Sequence, residues 1–323
     1  MKAIQIEEHG GPEVLRYADL PEPAPGAGEV LVNLAAAGVN FIDTYQRTGL
    51  YPVQLPRVLG LEGAGSVEAV GEGVTSFTPG DRVAYTNVPF SYAEKVVVPA
   101  EKLLKVPDDV DSPTAAAALL QGMTAHYLSE TTYPIAEGDT VLVHAAAGGV
   151  GLLLVQMAKR RGARVLGTVS TEEKAALARE AGADVTINYT KEDFVEVVKR
   201  ETDGGGLPVV YDSVGQSTFM KSLDCLRLKG TMVSFGQSSG KIPEFDPAIL
   251  GQKGSLYLTR PSLFHYVATR EDLERRGSDV FGWIASGQLK VRLGAKLPLS
   301  EARKAHEMLE GRRTTGKVIL ECE

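Results

Sequence analysis

Between Asp139 and Ser170 the apolar residues change their spacing twice. Val141 to Val143 is a continuous apolar run, the segment after Ala145-Ala146-Ala147-Gly148-Gly149-Val150-Gly151 carries apolar side chains at helical spacing, and Val165 to Val169 is apolar again. The pattern predicts a strand, a tight glycine turn, a helix and a second strand. Such a unit aims the amides of a helix N-terminus at an anion, and glycine lets the backbone approach a pyrophosphate with no Cβ in the way. The dinucleotide fingerprint asks for glycines at a fixed spacing; here its first position is Ala146, followed by Gly148 and Gly151. Placement between a buried strand and a helix is the context that separates a nucleotide-binding turn from a merely structural one. Thr140 to Ala158 carries no charge and approaches the ~20 apolar residues that cross a bilayer. His144, Gln156 and the glycines interrupt it, so a buried strand feeding a buried helix accounts for it better.

After Ser170 the alternation continues. Glu172 to Ala181, Lys191 to Glu201 and Gln216 to Leu228 read as helices, and Val185 to Tyr189, Val209 to Val214, Met232 to Gly236 and Ser255 to Thr259 as strands. Alternating strands and helices predict an α/β fold with a doubly wound parallel sheet, whose ligands bind beyond the carboxyl ends of the strands. Ser170, Tyr189, Ser213, Phe235 and Gly236 stand at those ends. Residues 1 to about 120 differ: short apolar runs at Val30–Val32, Gly65–Val70, Arg82–Tyr85 and Tyr92–Val98 are separated by Pro- and Gly-rich turns. That spacing predicts a small twisted β barrel or sandwich. Pro113 to Leu128 is an alanine-rich helix leading into the nucleotide unit, and the tail reads as helices at Arg270–Ser286 and Glu301–Glu310, then a strand at Lys317–Leu320 packing back on the first domain.

Length and charge narrow the function. At 323 residues the chain suits two domains. A net charge of −7 weighs against a nucleic-acid partner, whose affinity is largely electrostatic. The two cysteines are too few for a disulfide framework or a Cys-rich zinc site and suit a reducing compartment. Met1 to Glu8 lacks the apolar core of a signal peptide, so a soluble cytoplasmic protein is expected, with no membrane partner. The five histidines show no metal spacing, and His144 reads as a satisfied core histidine. For the nucleotide, the second strand ends Thr168-Val169-Ser170-Thr171 with no acid to accept ribose hydroxyls. Ser170, Lys174 and Tyr189 offer hydroxyls and a charge for a 2′-phosphate, which points to NADP(H); Glu172 is the rival acid that would select NAD.

These residues resemble the medium-chain dehydrogenase/reductase superfamily and, within it, the quinone oxidoreductase branch related to zeta-crystallin. The resemblance is carried by Ala145-x-x-Gly148-x-x-Gly151, Gly38-Val39-Asn40-Phe41-Ile42-Asp43-Thr44-Tyr45, Gly49-Leu50-Tyr51-Pro52, Gly60-Leu61-Glu62-Gly63-Ala64-Gly65 and Pro79-Gly80-Asp81-Arg82-Val83. Tyr211-Asp212-Ser213-Val214-Gly215 and Thr259-Arg260-Pro261-Ser262-Leu263 extend it along essentially the whole chain. It implies a GroES-like β-rich catalytic domain over 1–122, completed by 263–323, a Rossmann NADP-binding domain over 123–262, and a homodimer joined through the Rossmann domains. Zinc-dependent alcohol dehydrogenases of the superfamily place a cysteine where Asn40 stands and a histidine where Leu61 stands, before the glutamate matched by Glu62. The resemblance therefore implies no metal.

Without a Lewis acid to polarise a carbonyl, the acceptor must already be electrophilic, as quinones and α,β-unsaturated carbonyls are. The implied activity is zinc-independent transfer of reducing equivalents from NADPH to a quinone. By resemblance Asn40, Tyr45 and Tyr51 form the catalytic surroundings, with Asn40 and Tyr45 near the nicotinamide and Asn40 also a cofactor contact. The implied cofactor contacts are Thr124, Gly148, Gly149, Val150, Gly151, Ser170, Lys174, Tyr189, Ser213, Phe235, Gly236, Ser238, Arg260 and Lys317. An enoyl-thioester reductase is the alternative enzyme, with Tyr51 as proton donor after hydride transfer. A noncatalytic crystallin-like or RNA-binding role is the alternative outside enzymes.

Overall fold

Strands buried on both faces need no alternation of polar and apolar residues, and Leu207–Asp212 is buried at every position. In the computed structural model, which describes Met1 to Cys322, this strand belongs to a six-stranded parallel sheet. The sheet runs Val185–Asn188, Arg164–Val169, Thr140–Val143, Leu207–Asp212, Leu226–Ser234, Tyr257–Thr259. The earliest strand lies inside the sheet and the order reverses there, which opens a crevice beyond its carboxyl end. Leu142, Leu166, Ile187, Val210 and Met232 of these strands pack against Phe194, Val198, Phe219 and Leu223. The unit comprises Thr124–Tyr266.

Met1–Met123 and the chain from Val267 onward form the other unit. Its spine is the strand Glu29–Val39, which pairs antiparallel with Glu62–Val70, Lys95–Pro99 and the closing strand Lys317–Glu321. The seven-stranded sheet is completed by Leu293–Pro298, parallel to the closing strand, and by Arg82–Thr86 and Leu104–Lys105. Lys2–Ile6 forms a separate three-stranded sheet with Arg16–Asp19 and Arg57–Val58. Where the spine strand ends at Val39, the helix Phe41–Arg47 begins at once, with Asn40 as its N-cap.

Several expected elements are shorter or displaced. The helix expected over Gln216–Leu228 is only Phe219–Leu223, because the chain turns at Asp224 and Cys225 to start the strand Leu226–Ser234. The helix expected from Lys191 starts at Phe194, where the Asp193 carboxylate caps the Val195 amide. The strand expected from Tyr92 begins at Lys95, since Tyr92 and Ala93 are held by Leu59 and Ala3 instead. Leu293–Pro298 was not expected as a strand; Gly294 and Pro298 conceal it, and only pairing with the closing strand makes it one. Thr140–Ala158 is strand, turn and helix, and among the described residues no helix is long and apolar enough to cross a membrane.

The glycine turn is tight enough to test. A Cβ on Gly151 would lie 2.3 Å from the Ala145 carbonyl oxygen and 2.9 Å from the Ala146 Cα. Backbone cannot yield as a flexible side chain does, so Gly151→Ala should cost about 1–3 kcal/mol. Chemical denaturation of the two proteins would measure it, and equal midpoints would disprove the close approach.

Candidate functional site

The head of the helix Phe41–Arg47 gathers the first unit's buried polar groups. Asn40 and Asp43 form a capping box, the Asn40 amide N–H donating to Asp43 Oδ2 at 2.8 Å. The Asn40 side chain is fixed at both ends. Its Nδ2 donates to Glu62 Oε1 at 2.9 Å and to the Gly38 carbonyl at 3.3 Å, and its Oδ1 accepts from Lys317 Nζ at 2.7 Å and from Gln121 Nε2 at 3.5 Å. An ammonium can only donate, so this neighbour settles which end of the amide is oxygen. Lys317 also forms a close ion pair with Glu62 Oε1, and Glu62 Oε2 accepts from the Leu120 amide at 2.8 Å. Lys317 and Glu62 side chains are each 1% exposed, so no water stands in for a lost partner. Burial lowers the Lys317 pKa, and Glu62 opposes that shift.

A second chain of contacts leaves Asp43. Tyr92 donates its hydroxyl to Asp43 Oδ2 at 2.9 Å and lies 3.1 Å from His306 Nε2. Arg47, which can only donate, lies 3.0 Å from His306 Nδ1, so a neutral His306 carries its hydrogen on Nε2 and gives it to Tyr92. Arg47 then closes a bidentate pair with Glu310 at 2.7 and 3.0 Å. Desolvation pushes the Asp43 carboxyl up to about 7, opposed by hydrogen bonds from the Asn40 amide and Tyr92 and by Lys317. Burial, then the Arg47 charge, brings His306 down to about 3. Tyr45, on the same helix, sits edge-on to Tyr51 at 5.3 Å between ring centroids, and the Tyr51 amide donates to the Tyr45 carbonyl at 3.0 Å.

In the second unit the glycine turn is supported from beneath. The Ala145 amide donates to Thr168 Oγ1 at 3.2 Å, Thr168 meets His144 Nδ1 at 3.0 Å, and His144 Nε2 meets Ser222 Oγ at 3.0 Å. Burial holds His144 below its ordinary pKa, opposed by the nearby Asp212 carboxylate. Asp212 Oδ1 accepts from the Val214 and Gly215 amides at 2.7 and 3.0 Å, fixing the turn that carries Ser213. The helix Gly149–Arg160 starts at Gly148 with no side-chain cap, so a ligand can meet its first amides.

The predicted residues fall in both units. Gly148, Gly149, Val150 and Gly151 form the turn and first helical residues, and Ser170 follows Val169, whose partner in the neighbouring strand is Asn188, next to Tyr189. Thr171 caps the helix bearing Lys174. Glu172, the rival acid, is drawn into an ion pair with Arg179. Ser213, Phe235, Gly236 and Ser238 share one turn region, in which the Ser238 amide donates to the Ser213 carbonyl at 3.1 Å. Arg260 donates to the Ser234 carbonyl at 2.8 Å and to that of Gly236 at 3.3 Å. Thr124 is buried in the same unit, whereas Asn40, Tyr45, Tyr51 and Lys317 belong to the other. Sequence reasoning did not foresee Asp43, Tyr92, Arg47 and His306 as one chain; the Asn-x-x-Asp spacing of a capping box was its only local sign. Among the described residues no group of three or more His, Cys, Asp or Glu could hold a metal.

Residues 26–108 match the alcohol dehydrogenase GroES-like domain and residues 149–273 the zinc-binding dehydrogenase family. A quinone oxidoreductase of Pseudomonas aeruginosa is 50% identical, with 99% of each chain covered. A 2-haloacrylate reductase of a Burkholderia species is 44% identical, with 98% of each covered. The crystal structure of Escherichia coli quinone oxidoreductase complexed with NADPH superimposes with a TM-score of 0.98 at 46% identity, covering 99% of this chain and 100% of that one.

Asp43 and His306 give the first unit opposite pH dependences. Asp43, raised from 3.8 to about 7, contributes stability that is complete below the unfolded value and lost as pH rises through about 7. His306, lowered from 6.5 to about 3, contributes stability present above 6.5 and lost as pH falls through about 3. Asp43→Asn keeps the shape and the acceptor while removing the titration. Its stability relative to the parent should therefore climb between pH 4 and pH 7, on the order of a few kcal/mol in total. Denaturant titrations across that range test this, and a flat difference would refute it.

Proposed function

Because the chain belongs to the quinone oxidoreductase branch of the medium-chain dehydrogenase/reductase superfamily, we propose that it transfers reducing equivalents from NADPH to a quinone without zinc. The observation that carries this reading is the cationic Lys317 against Glu62 and Asn40: the carboxylate has its counter-ion in the protein itself. Asn40 and Leu61, where zinc-dependent relatives have Cys and His, offer neither a thiolate nor an imidazole.

The glycine turn fits a dinucleotide, since the space a Cβ would fill at Gly151 is taken by backbone and the helix start, without a side-chain cap, suits an anion. NADPH, when bound, supplies the hydride. Gly148, Gly149, Val150 and Gly151 hold the pyrophosphate, while Ser170, Lys174 and Tyr189 take the 2′-phosphate. Thr124, Ser213, Phe235, Gly236, Ser238 and Arg260 line the rest of the cofactor site. Asn40 is held rigid by Lys317 and Glu62, and Tyr45 and Tyr51 present an aromatic wall against which a planar acceptor stacks. Positioning of the acceptor and exclusion of water are the protein's share of the work. The relative named as a 2-haloacrylate reductase favours a wider acceptor class that includes α,β-unsaturated carbonyls.

The assembly we propose is a cytoplasmic homodimer. Its support is the edge strand Tyr257–Thr259, which pairs on one side only among the described residues and exposes Tyr257 at 63% and Leu258 at 37%. Light scattering should find Leu258→Lys shifted from dimer toward monomer; an unchanged mass would remove this edge as the interface.

Chelator-treated protein assayed by nicotinamide absorbance, with NADPH and NADH each set against a simple quinone and a short enoyl thioester, tests the reaction. Turnover with NADPH and quinone is expected. Activity that vanishes with the chelator and returns with zinc would overturn the metal-free reading. Lys174→Glu should lower the ratio of kcat/KM for NADPH over NADH at least ~10-fold, about 1.4 kcal/mol. An unchanged ratio would take Lys174 out of the phosphate site.

A further inference from the structure

The first unit's buried polar groups around Lys317 are almost all hydrogen-bonded, but those beside the loop after strand Arg82–Thr86 are not. Thr86 Oγ1, Asn87 Nδ2 and Arg57 Nε are each buried and lack a hydrogen-bond partner. Arg57 enters no ion pair among the described residues, and burial alone pulls its guanidinium below the usual arginine range. Its guanidinium carbon lies 4.4 Å from the ring centroid of Phe90, which is 42% exposed.

The loop that supplies these groups is held in a costly shape. Asn87 and Phe90 adopt φ of 63° and 79°, a region that a bulky aromatic residue rarely enters. It is pinned across the segment beginning at Arg57: the Ser91 amide donates to the Gly60 carbonyl at 3.2 Å and the Tyr92 amide to that of Leu59 at 2.9 Å. Tyr85 fixes it from below, its hydroxyl 2.9 Å from Ser91 Oγ. Each unpartnered atom in this set can donate a hydrogen bond, and one belongs to a permanent cation. A partly desolvated cation with no counter-ion is costly until an anion arrives. The complement of a guanidinium with unused N–H groups is a planar acceptor-only anion, and a carboxylate matches it in geometry as well as charge.

We propose that Arg57, with Asn87 and the face of Phe90, forms a subsite for a carboxylate carried by the hydride acceptor. This rests on the reductase reading above and extends the acceptor class to quinonoid and α,β-unsaturated acids. Arg57 opens the strand Arg57–Val58, six residues after Tyr51 and in the same unit. The relative named for 2-haloacrylate acts, by that name, on a carboxylate.

A matched pair of acceptors tests it: a carboxyl-bearing benzoquinone and its methyl ester, with NADPH, against the parent, Arg57→Met and Arg57→Lys. Methionine keeps an apolar stem over Phe90 and removes the charge. The parent should show a lower KM for the acid than for the ester, Arg57→Met should raise the acid's KM relative to the ester's ~10-fold, and lysine should restore part of the preference. Thermal shift with benzoate alone supplies a readout free of turnover, with stabilisation expected in the parent and lost in Arg57→Met. Equal acid-to-ester ratios in parent and Arg57→Met, or benzoate stabilising both alike, would overturn the subsite while ester turnover leaves the reductase reading standing. Silence of the parent with both acceptors, alongside a benzoate shift that needs Arg57, would overturn the reductase reading and keep the carboxylate site.

Discussion

An ammonium group 1% exposed to water must find its counter-charge inside the protein, and the Lys317 contact with Glu62 meets that demand. The closing strand reaches this position only by pairing with the spine strand, Val318 opposite Val39, which brings the residue before it to Asn40. The ion pair thus joins the closing strand to the strand Glu62–Val70, and hydrogen bonds link both its members to Asn40, the N-cap of the helix that carries Tyr45. Removing either member would strand a buried charge, a loss of about 3–5 kcal/mol in comparable cases. The same pair fixes the Asn40 amide.

Both units solve the same problem in the same way. In each, a helix start near a candidate ligand site is positioned by buried polar side chains reaching across several elements: Asp43, Tyr92, His306 and Arg47 in one, Thr168, His144, Ser222 and Asp212 in the other. Such chains stabilise little beyond apolar packing, because desolvation offsets much of their attraction. What they confer is a single arrangement. Donor-only and acceptor-only members, arginine and carboxylate, dictate the hydrogen positions of the groups between them.

A buried polar group with every partner in place contributes structure, whereas one without a partner calls for an explanation, as Asp43 Oδ1, Gln121 Oε1 and Ser234 Oγ also do. Asn40 spends its hydrogen bonds on Glu62, Gly38, Lys317 and Gln121, and so contributes position. The uncapped start of the helix Gly149–Arg160 and the donor set at Arg57 and Asn87 are left open, and both suit anions.

The parallel sheet and its glycine turn were legible in the sequence because period and punctuation are local: Val141–Val143, Gly148, Gly151 and Val165–Val169 each announce their conformation within a few residues. The candidate phosphate contacts Ser170 and Lys174 could be picked out for the same reason, since both lie within five residues of the strand end at Val169. Strands such as Leu293–Pro298 were not legible, because a pairing partner distant in sequence, and no propensity of their own, makes them strands. Nor could the sequence show that Lys317 meets Glu62, that His306 meets Arg47, or that Arg57 meets an aromatic face and, among the described residues, no counter-ion. Whether a charge is paired or abandoned depends on which residues distant along the chain share its space, and only the tertiary structure decides that.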